Sequence, residues 1–329
     1  MKDRITNTDF IKAEKTASER DLHIRRAIAP YRSGSGEIEI LNPRKVIKLV
    51  KPRSENSHKG SFGRLVLISG SDRFPGAAQL SALAALRSGA GLVTVITTSL
   101  AAEALASSVR EATLLPLDSD GAGFMLPNGK EDAAAGLIAS ADALLIGPGL
   151  GTAEGSLKML EIALKNAACP IILDADGINL VSTRIEFLRK AKTGLILTPH
   201  PAELARLSGA PLAEVLGDRL KYARKIAEKY GCTVVSKSSG TLITGDGKAA
   251  LSVRGNNGLA RGGSGDLLAG LIASFAAQGY SPAEAAEIGV TLQGLACEIA
   301  AKRLSRHGVL PSDIIGCLPL LFKKIERLI

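Results

Sequence analysis

The stretch "GRLVLISGSDRFPGAAQLSALAALRSGAGLVTVIT", residues 63–97, sets two short aliphatic runs on either side of a longer alanine- and leucine-rich run. The short runs are rich in branched residues, and the run between them spaces its apolar residues as a helix does. A continuous apolar strand is buried on both faces, and a helical crossover makes the next strand parallel to the last. The pattern continues outward through "ADALLIGPG" (141–149), "CPIILDAD" (169–176), "TGLILTPH" (193–200) and "GCTVVSKS" (231–238), with "LGDRLKYARKIAEKYG" (216–231) as a further helical stretch. The class predicted is α/β, a mostly parallel central sheet with helices on both faces. In such sheets ligands bind beyond the carboxyl ends of the strands, where glycine, aspartate, proline and histidine gather here.

Composition narrows the classes further. The 329 residues are 46% hydrophobic and 22% charged, enough for a large core, with 35 glycines and only 3% aromatics. The net charge of +9 is scattered without an aromatic-interleaved basic stripe, which favours small anionic ligands over nucleic acid. Cys169, Cys232, Cys297 and Cys317 stand far apart, so neither a zinc site nor a disulfide framework is indicated, and a reducing, cytoplasmic setting is expected. No apolar run reaches spanning length, so no membrane partner is expected. Residues 1–36 read as a polar extension closed by the flexible "YRSGSGE", and residues 37–329 as a single domain.

The chemistry concentrates in "GGSGD" (262–266), directly before the apolar "LLAGLIASFAAQG". Glycines let several backbone N–H groups face one point, and a helix start adds its positive end, so Gly262, Gly263, Ser264 and Gly265 can form an anion hole. Asp266 would ordinarily cap the helix, but a plain cap needs none of the glycines. No lysine follows as in a Walker A loop, and G-x-G-x-x-G spacing is missing. A carboxylate beside an anion cradle suits removal of a proton from a hydroxyl that attacks a phosphoryl group. "TPHPAE" (198–203) directs His200 and Glu203 outward at a strand end, with Glu203 placed either to organise a hydrated magnesium ion or simply to begin a helix. "VVSKSSGTLITGDG" (234–247) reads as strand, polar turn and strand, its Lys237, Ser238, Ser239, Gly240 and Thr241 offering a grip for an adenylate. Phe74-Pro75-Gly76 followed by Ala77 and Ala78 would admit a bulky planar ligand to the backbone or serve close helix-to-sheet packing by alanine, and "GPGLG" (147–151) is a tight turn at a strand end.

In order and spacing, "HKGSFGRLVLISGS", "FPGAAQLSALAALRSGAGLVTV", "GPGLG", "LDADGINLV", "LTPHPAELARL", "VVSKSSGTLI" and "GNNGLARGGSGDLLAGLIASFAAQG" closely resemble the ADP- or ATP-dependent (S)-NAD(P)H-hydrate dehydratase family, of ribokinase-like three-layer fold. The resemblance spans roughly residues 40–320. It implies a hydro-lyase that returns hydrated NADH or NADPH to the normal cofactor: the nucleotide phosphorylates the ring hydroxyl, and phosphate then leaves. It further implies that Ala77, Gly149 or Gly151, His200 and Asp266 touch the hydrated cofactor. Lys237 to Thr241 with Gly265 would bind ADP or ATP, and Glu203 would organise Mg2+ through water. It implies a homo-oligomer, with a separate NAD(P)H-hydrate epimerase as functional partner, since the first 40 residues are too short for the epimerase domain that some members carry.

This chain departs from the family pattern at Ser238, where glycine is usual, and at Gln293, where histidine is common. A kinase of a small vitamin-precursor alcohol would use the same Asp266 and anion hole but release a stable phosphorylated product. A catalytically silent nucleotide binder would have no need of the base.

Overall fold

The computed structural model describes residues 38–328, so the 1–36 extension lies outside the described residues, as do Glu37 and Ile329. Among the described residues eleven strands form one sheet: β1 (Glu39–Ile40), β2 (Arg64–Ile68), β3 (Leu92–Thr98), β4 (Thr113–Ser119), β5 (Met125–Leu126), β6 (Ala143–Ile146), β7 (Ile171–Leu173), β8 (Leu195–Leu197), β9 (Thr233–Ser236), β10 (Thr241–Gly245) and β11 (Lys248–Ser252). Their spatial order is β1-β11-β10-β9-β8-β7-β6-β2-β3-β4-β5. From β9 through to β4 every neighbouring pair is parallel, while β10 and β5 add antiparallel pairings toward the two edges. The central strands are the runs read from the sequence. β4 was not among them: Pro116 interrupts its apolar pattern, and the strand lies near one edge, where a missing N–H is tolerated.

The helices follow in chain order. α1 (Pro43–Ile47), α2 (Pro75–Arg87) and α3 (Ser99–Ser108) precede α4 (Glu131–Ala139), α5 (Glu154–Asn166) and α6 (Asp176–Ser182). Then come α7 (Pro201–Ser208), α8 (Leu212–Gly217), α9 (Arg219–Tyr230), α10 (Ser264–Ala277), α11 (Pro282–Leu304) and α12 (Pro311–Ile325). Because side chains alternate across a strand, a strand apolar at every position feeds two cores at once. Leu65 and Leu67 of β2 enter one core with α2, α10, α11 and α12, whereas Val66 and Ile68 enter the other with α4, α5, α7 and α9. These are the three layers.

α10 is apolar all round, and every residue from Leu267 to Ala277 is buried, which is the condition for such a helix to be stable in water. It lies tightly on α2: a Cβ added at Gly270 would meet Ser81 O at 2.2 Å. Burying Phe275 there contributes about 2 to 3 kcal/mol, and the small residues of α2 make the approach possible. The sequence suggests close packing of the alanine-rich α2 on the sheet; this contact is with another helix, α10. Ser81 Oγ also donates to Asp266 O at 3.0 Å, so the same contact fixes the first turn of α10.

Strands β2, β3 and β4 progress one way across the sheet, and β6 to β9 progress the other way. The direction in which strands are added across the sheet therefore reverses between the parallel neighbours β2 and β6, leaving a crevice at the carboxyl ends of the strands.

Candidate active site

Each strand around that crevice ends in one of the stretches singled out above. After β2 and β6, Gly70 N donates to Pro148 O at 2.8 Å, tying the two loops together. Gly149 has φ +63°, and a Cβ there would lie 2.8 Å from the Cβ of Ala77 and from Phe74 O, so Ala77 and Gly149 are neighbours. Gly151 N donates to Asp176 Oδ2 at 2.8 Å, joining the β6 loop to the start of α6. Asp176 also accepts from Asn179 Nδ2 at 3.0 Å.

The charged centre lies one strand further on. Asp174 directly follows β7 and is 1% exposed; it accepts from Thr198 Oγ1 and from Lys237 Nζ, each at 2.6 Å. Lys237 also stands 3.9 Å from Glu203 Oε2. Burial works against the Lys237 ammonium, but Asp174, Glu203 and Asp266 outweigh it and hold the amine above its ordinary range. A Cβ on Gly265 would be 3.5 Å from Lys237 Nζ and 3.8 Å from Asp174 Oδ2, which brings the glycine-rich loop against the same centre.

His200 and Glu203 form a capping box at the start of α7: His200 N donates to Glu203 Oε2 at 2.7 Å, and His200 Nδ1 accepts from Ala202 N and Glu203 N. With Nδ1 occupied as an acceptor, the imidazole proton resides on Nε2, 3.2 Å from Glu203 Oε1. The helix-start reading of Glu203 thus holds, yet the side chain is buried rather than at the surface. Burial pushes its carboxyl up to about 7, with Lys237 opposing and Asp174 adding to the rise. Burial, then the charges of Lys237 and Arg206, lower the pKa of His200.

At the glycine-rich loop, Gly263 with φ +91° is the N-cap and Asp266 is the third residue of α10, so Asp266 does not occupy the capping position considered from sequence. No side chain caps this helix; Ser264 N donates to Arg261 O at 3.3 Å, so the amides of Gly265 and Asp266 are the first-turn donors that can face a ligand. Burial raises the Asp266 carboxyl to about 6, Asp174 adding to the rise and Lys237 restraining it. Gln293, buried on α11, donates to Ser264 O at 2.6 Å and anchors the loop from below. Ser264 Oγ and Ser236 Oγ are buried polar atoms that have no hydrogen-bond partner.

The Lys237–Gly240 turn joins antiparallel β9 and β10, with Ser238 and Ser239 exposed and Gly240 buried. Arg219 at the start of α9 donates to Ser236 O at 3.2 Å and to Gly240 O at 2.8 Å, spanning the turn from outside. Sequence reasoning missed Arg219, Asp174 and Asp176. "LDAD" after an apolar strand was the available signal for the two aspartates, but nothing local marked Arg219. Gly262 is exposed at the loop's entry. Among the described residues no group of three or more His, Cys, Asp or Glu could hold a metal ion, and no helix is long and apolar enough to cross a membrane.

A three-layer α/β sheet whose strand ends converge on an uncapped, glycine-rich helix start has the ribokinase-like arrangement. Its structural neighbours agree: the ADP/ATP-dependent NAD(P)H-hydrate dehydratase from Bacillus subtilis, co-crystallised with ATP/Mg2+, matches with a TM-score of 0.74 and 30% identity over 88% of this chain and 99% of that one. The sequence profile described as NAD(P)H-hydrate dehydratase matches residues 65–320. The ADP-dependent (S)-NAD(P)H-hydrate dehydratase of Neisseria meningitidis is 39% identical over 84% of this chain and 90% of its own length. The bifunctional NAD(P)H-hydrate repair enzyme of Moorella thermoacetica is 36% identical over 84% of this chain but only 52% of its own length, so the chain spans about half of such bifunctional relatives. This chain belongs to the NAD(P)H-hydrate dehydratase family.

Proposed function

We propose that this protein is a nucleotide-dependent hydro-lyase that restores NADH and NADPH from their (S)-hydrates, using ADP or ATP as phosphoryl donor. The observation that carries this reading is Asp266, held near pH 6 in the first turn of an uncapped helix whose entry is Gly262, Gly263 and Gly265. At neutral pH its carboxylate is ionised and can accept the proton of the ring hydroxyl as that oxygen bonds to the donor's terminal phosphorus and the bond from that phosphorus to the bridging oxygen breaks, releasing AMP from ADP or ADP from ATP. The amides of Gly262 to Gly265 then stabilise the charge on the transferring phosphoryl oxygens. In the second stage the ring nitrogen lone pair expels phosphate, breaking the carbon–oxygen bond, and loss of the adjacent ring proton restores the dihydropyridine. Phosphate leaves far more readily than hydroxide, which is why the nucleotide is consumed.

Ala77, Gly149 or Gly151, and His200 would contact the hydrated ring, while Lys237 to Thr241 and Gly265 would hold the adenine nucleotide. Glu203 with Asp174 falls short of a protein cage for a metal, a donor set that suits Mg2+ carried on the nucleotide's phosphates and reached through water. Bound there, Mg2+ would neutralise phosphate charge. The reading treats residues 37–329 as one domain, in a homo-oligomer, with an epimerase of the hydrate as functional partner. Four buried free cysteines support a reducing, cytoplasmic setting.

The test is an absorbance assay with magnesium and hydrated NADH, adding ADP or ATP separately. Return of the reduced-nicotinamide band with matching phosphate release supports the repair reaction. No recovery here, with a stable phosphorylated product when a vitamin-precursor alcohol is supplied in place of the hydrate, would establish the kinase alternative.

A further inference from the structure

A groove of about 860 Å³ opens beside the strand-end site, between the start of α5, helix α6 and helix α7. Its lining includes Thr152, the residue after Gly151, together with Arg184 and Arg206. We propose that this groove seats the phosphate-bearing adenosine half of the pyridine dinucleotide substrate, with Arg206 and Arg184 as its anion contacts. The inference rests on the function proposed above and extends it to the part of the substrate that does not react.

Three observations carry it. A hydrated nicotinamide dinucleotide is far longer than its reacting ring. With the ring set among Gly149, Gly151 and His200, the rest of the molecule has to leave the crevice along some surface. The groove is continuous with that loop. Second, Arg206 is held in place. Its Nε and Nη2 donate to Asn179 Oδ1 at 3.1 and 2.8 Å, Asn179 Nδ2 donates to Asp176 Oδ1, and Asp176 Oδ2 accepts from Gly151 N. One connected network thus joins a groove guanidinium to the ring-binding loop, reducing the ordering cost of binding. Third, the lining pairs these cations with apolar side chains, Leu157 and Leu180, the combination that a diphosphate attached to an adenosine requires. The acidic groups do not cancel this. Asp176 already accepts two hydrogen bonds, and Glu154 is exposed at the rim.

The donor nucleotide is placed elsewhere, at the Lys237–Thr241 turn, so the two adenylates are separable by experiment. Wild type, Arg184→Gln, Arg206→Gln and the double variant are titrated with NADPH, with reduced nicotinamide mononucleotide, and with ATP and Mg2+. The double variant should lose NADPH affinity by about tenfold or more, the scale of losing charged hydrogen bonds. For Arg184→Gln, which lies outside the network to Gly151, NADPH affinity should fall while affinities for the mononucleotide and for ATP stay within about twofold, since neither reaches the groove. Unchanged NADPH affinity, or equal loss for both pyridine ligands, overturns the groove assignment while leaving the proposed function standing. Wild type that binds ATP but neither pyridine ligand overturns the function and the groove together. If the double variant fails to bind ATP, the exposed Arg184→Gln variant carries the test by the same comparison.

Discussion

Lys237 Nζ lies 2.6 Å from Asp174 Oδ1, closing a bond between the ends of β9 and β7 across the intervening β8. Removing one partner of a buried pair leaves the other uncompensated, which is costlier than removing both. Lys237→Met should therefore destabilise the protein by roughly 3 kcal/mol, and Asp174→Asn with Lys237→Met by clearly less. Urea unfolding of wild type, Lys237→Met, Asp174→Asn and the double variant checks this; a double variant as unstable as the sum of its parts would count against the pair.

Asp266→Asn should keep nucleotide affinity and lose turnover by at least about a hundredfold. In the wild type, kcat/KM should fall on the acid side with an apparent pKa near 6, because the base is protonated below the value to which burial raises it. The stability effect runs the other way. Ionisation is disfavoured in the folded state, so the penalty is absent below the unfolded pKa and grows as pH rises through about 6. The asparagine variant should be more stable than wild type at pH 7, with the advantage shrinking toward pH 4. Denaturant titrations at the two pH values decide it.

Two glycines should respond differently to alanine. At Gly147, φ is +126° and a Cβ would sit 1.9 Å from Asp174 O, so Gly147→Ala should cost roughly 3 kcal/mol or more and disturb the whole centre. At Gly265 the nearest atoms are at 3.5 and 3.8 Å, an ordinary contact. Gly265→Ala should fold with near-normal melting while activity drops, because the methyl group intrudes on the anion hole. Paired melting curves and rates distinguish the two.

Gln293→Ala should leave the buried Ser264 carbonyl without its donor, costing about 1 to 3 kcal/mol. Gln293→His keeps a donor on the same helix, so it should lose less of both stability and activity. An equal loss in the two variants would show that the hydrogen bond is not what matters there.

Arg219→Ala should loosen the turn that its guanidinium spans from Ser236 O to Gly240 O. The expected outcome is a rise in KM for the nucleotide of about tenfold, exceeding any change in KM for the hydrated cofactor. Steady-state kinetics with each substrate varied in turn reads the split.

Much of this was open to local reading. Apolar runs at strand length, the α2 and α9 helical spacing, and the glycines before Asp266 are local facts, since backbone geometry and burial pattern act over a few residues. They specified a parallel α/β sheet and located the glycine-rich loop by themselves. The tertiary structure alone decided which strand ends meet. Asp174, Glu203, Lys237 and Gly265 come from four separate segments, and only the β7-β8-β9 order with α10 packed beneath brings them within a few ångströms. The same is true of Arg219 behind the nucleotide turn and of the Arg206–Asn179–Asp176–Gly151 network, because such contacts join residues whose separation along the chain carries no periodic signal. Local chemistry determined the elements, and the packing of two cores against one sheet determined the site.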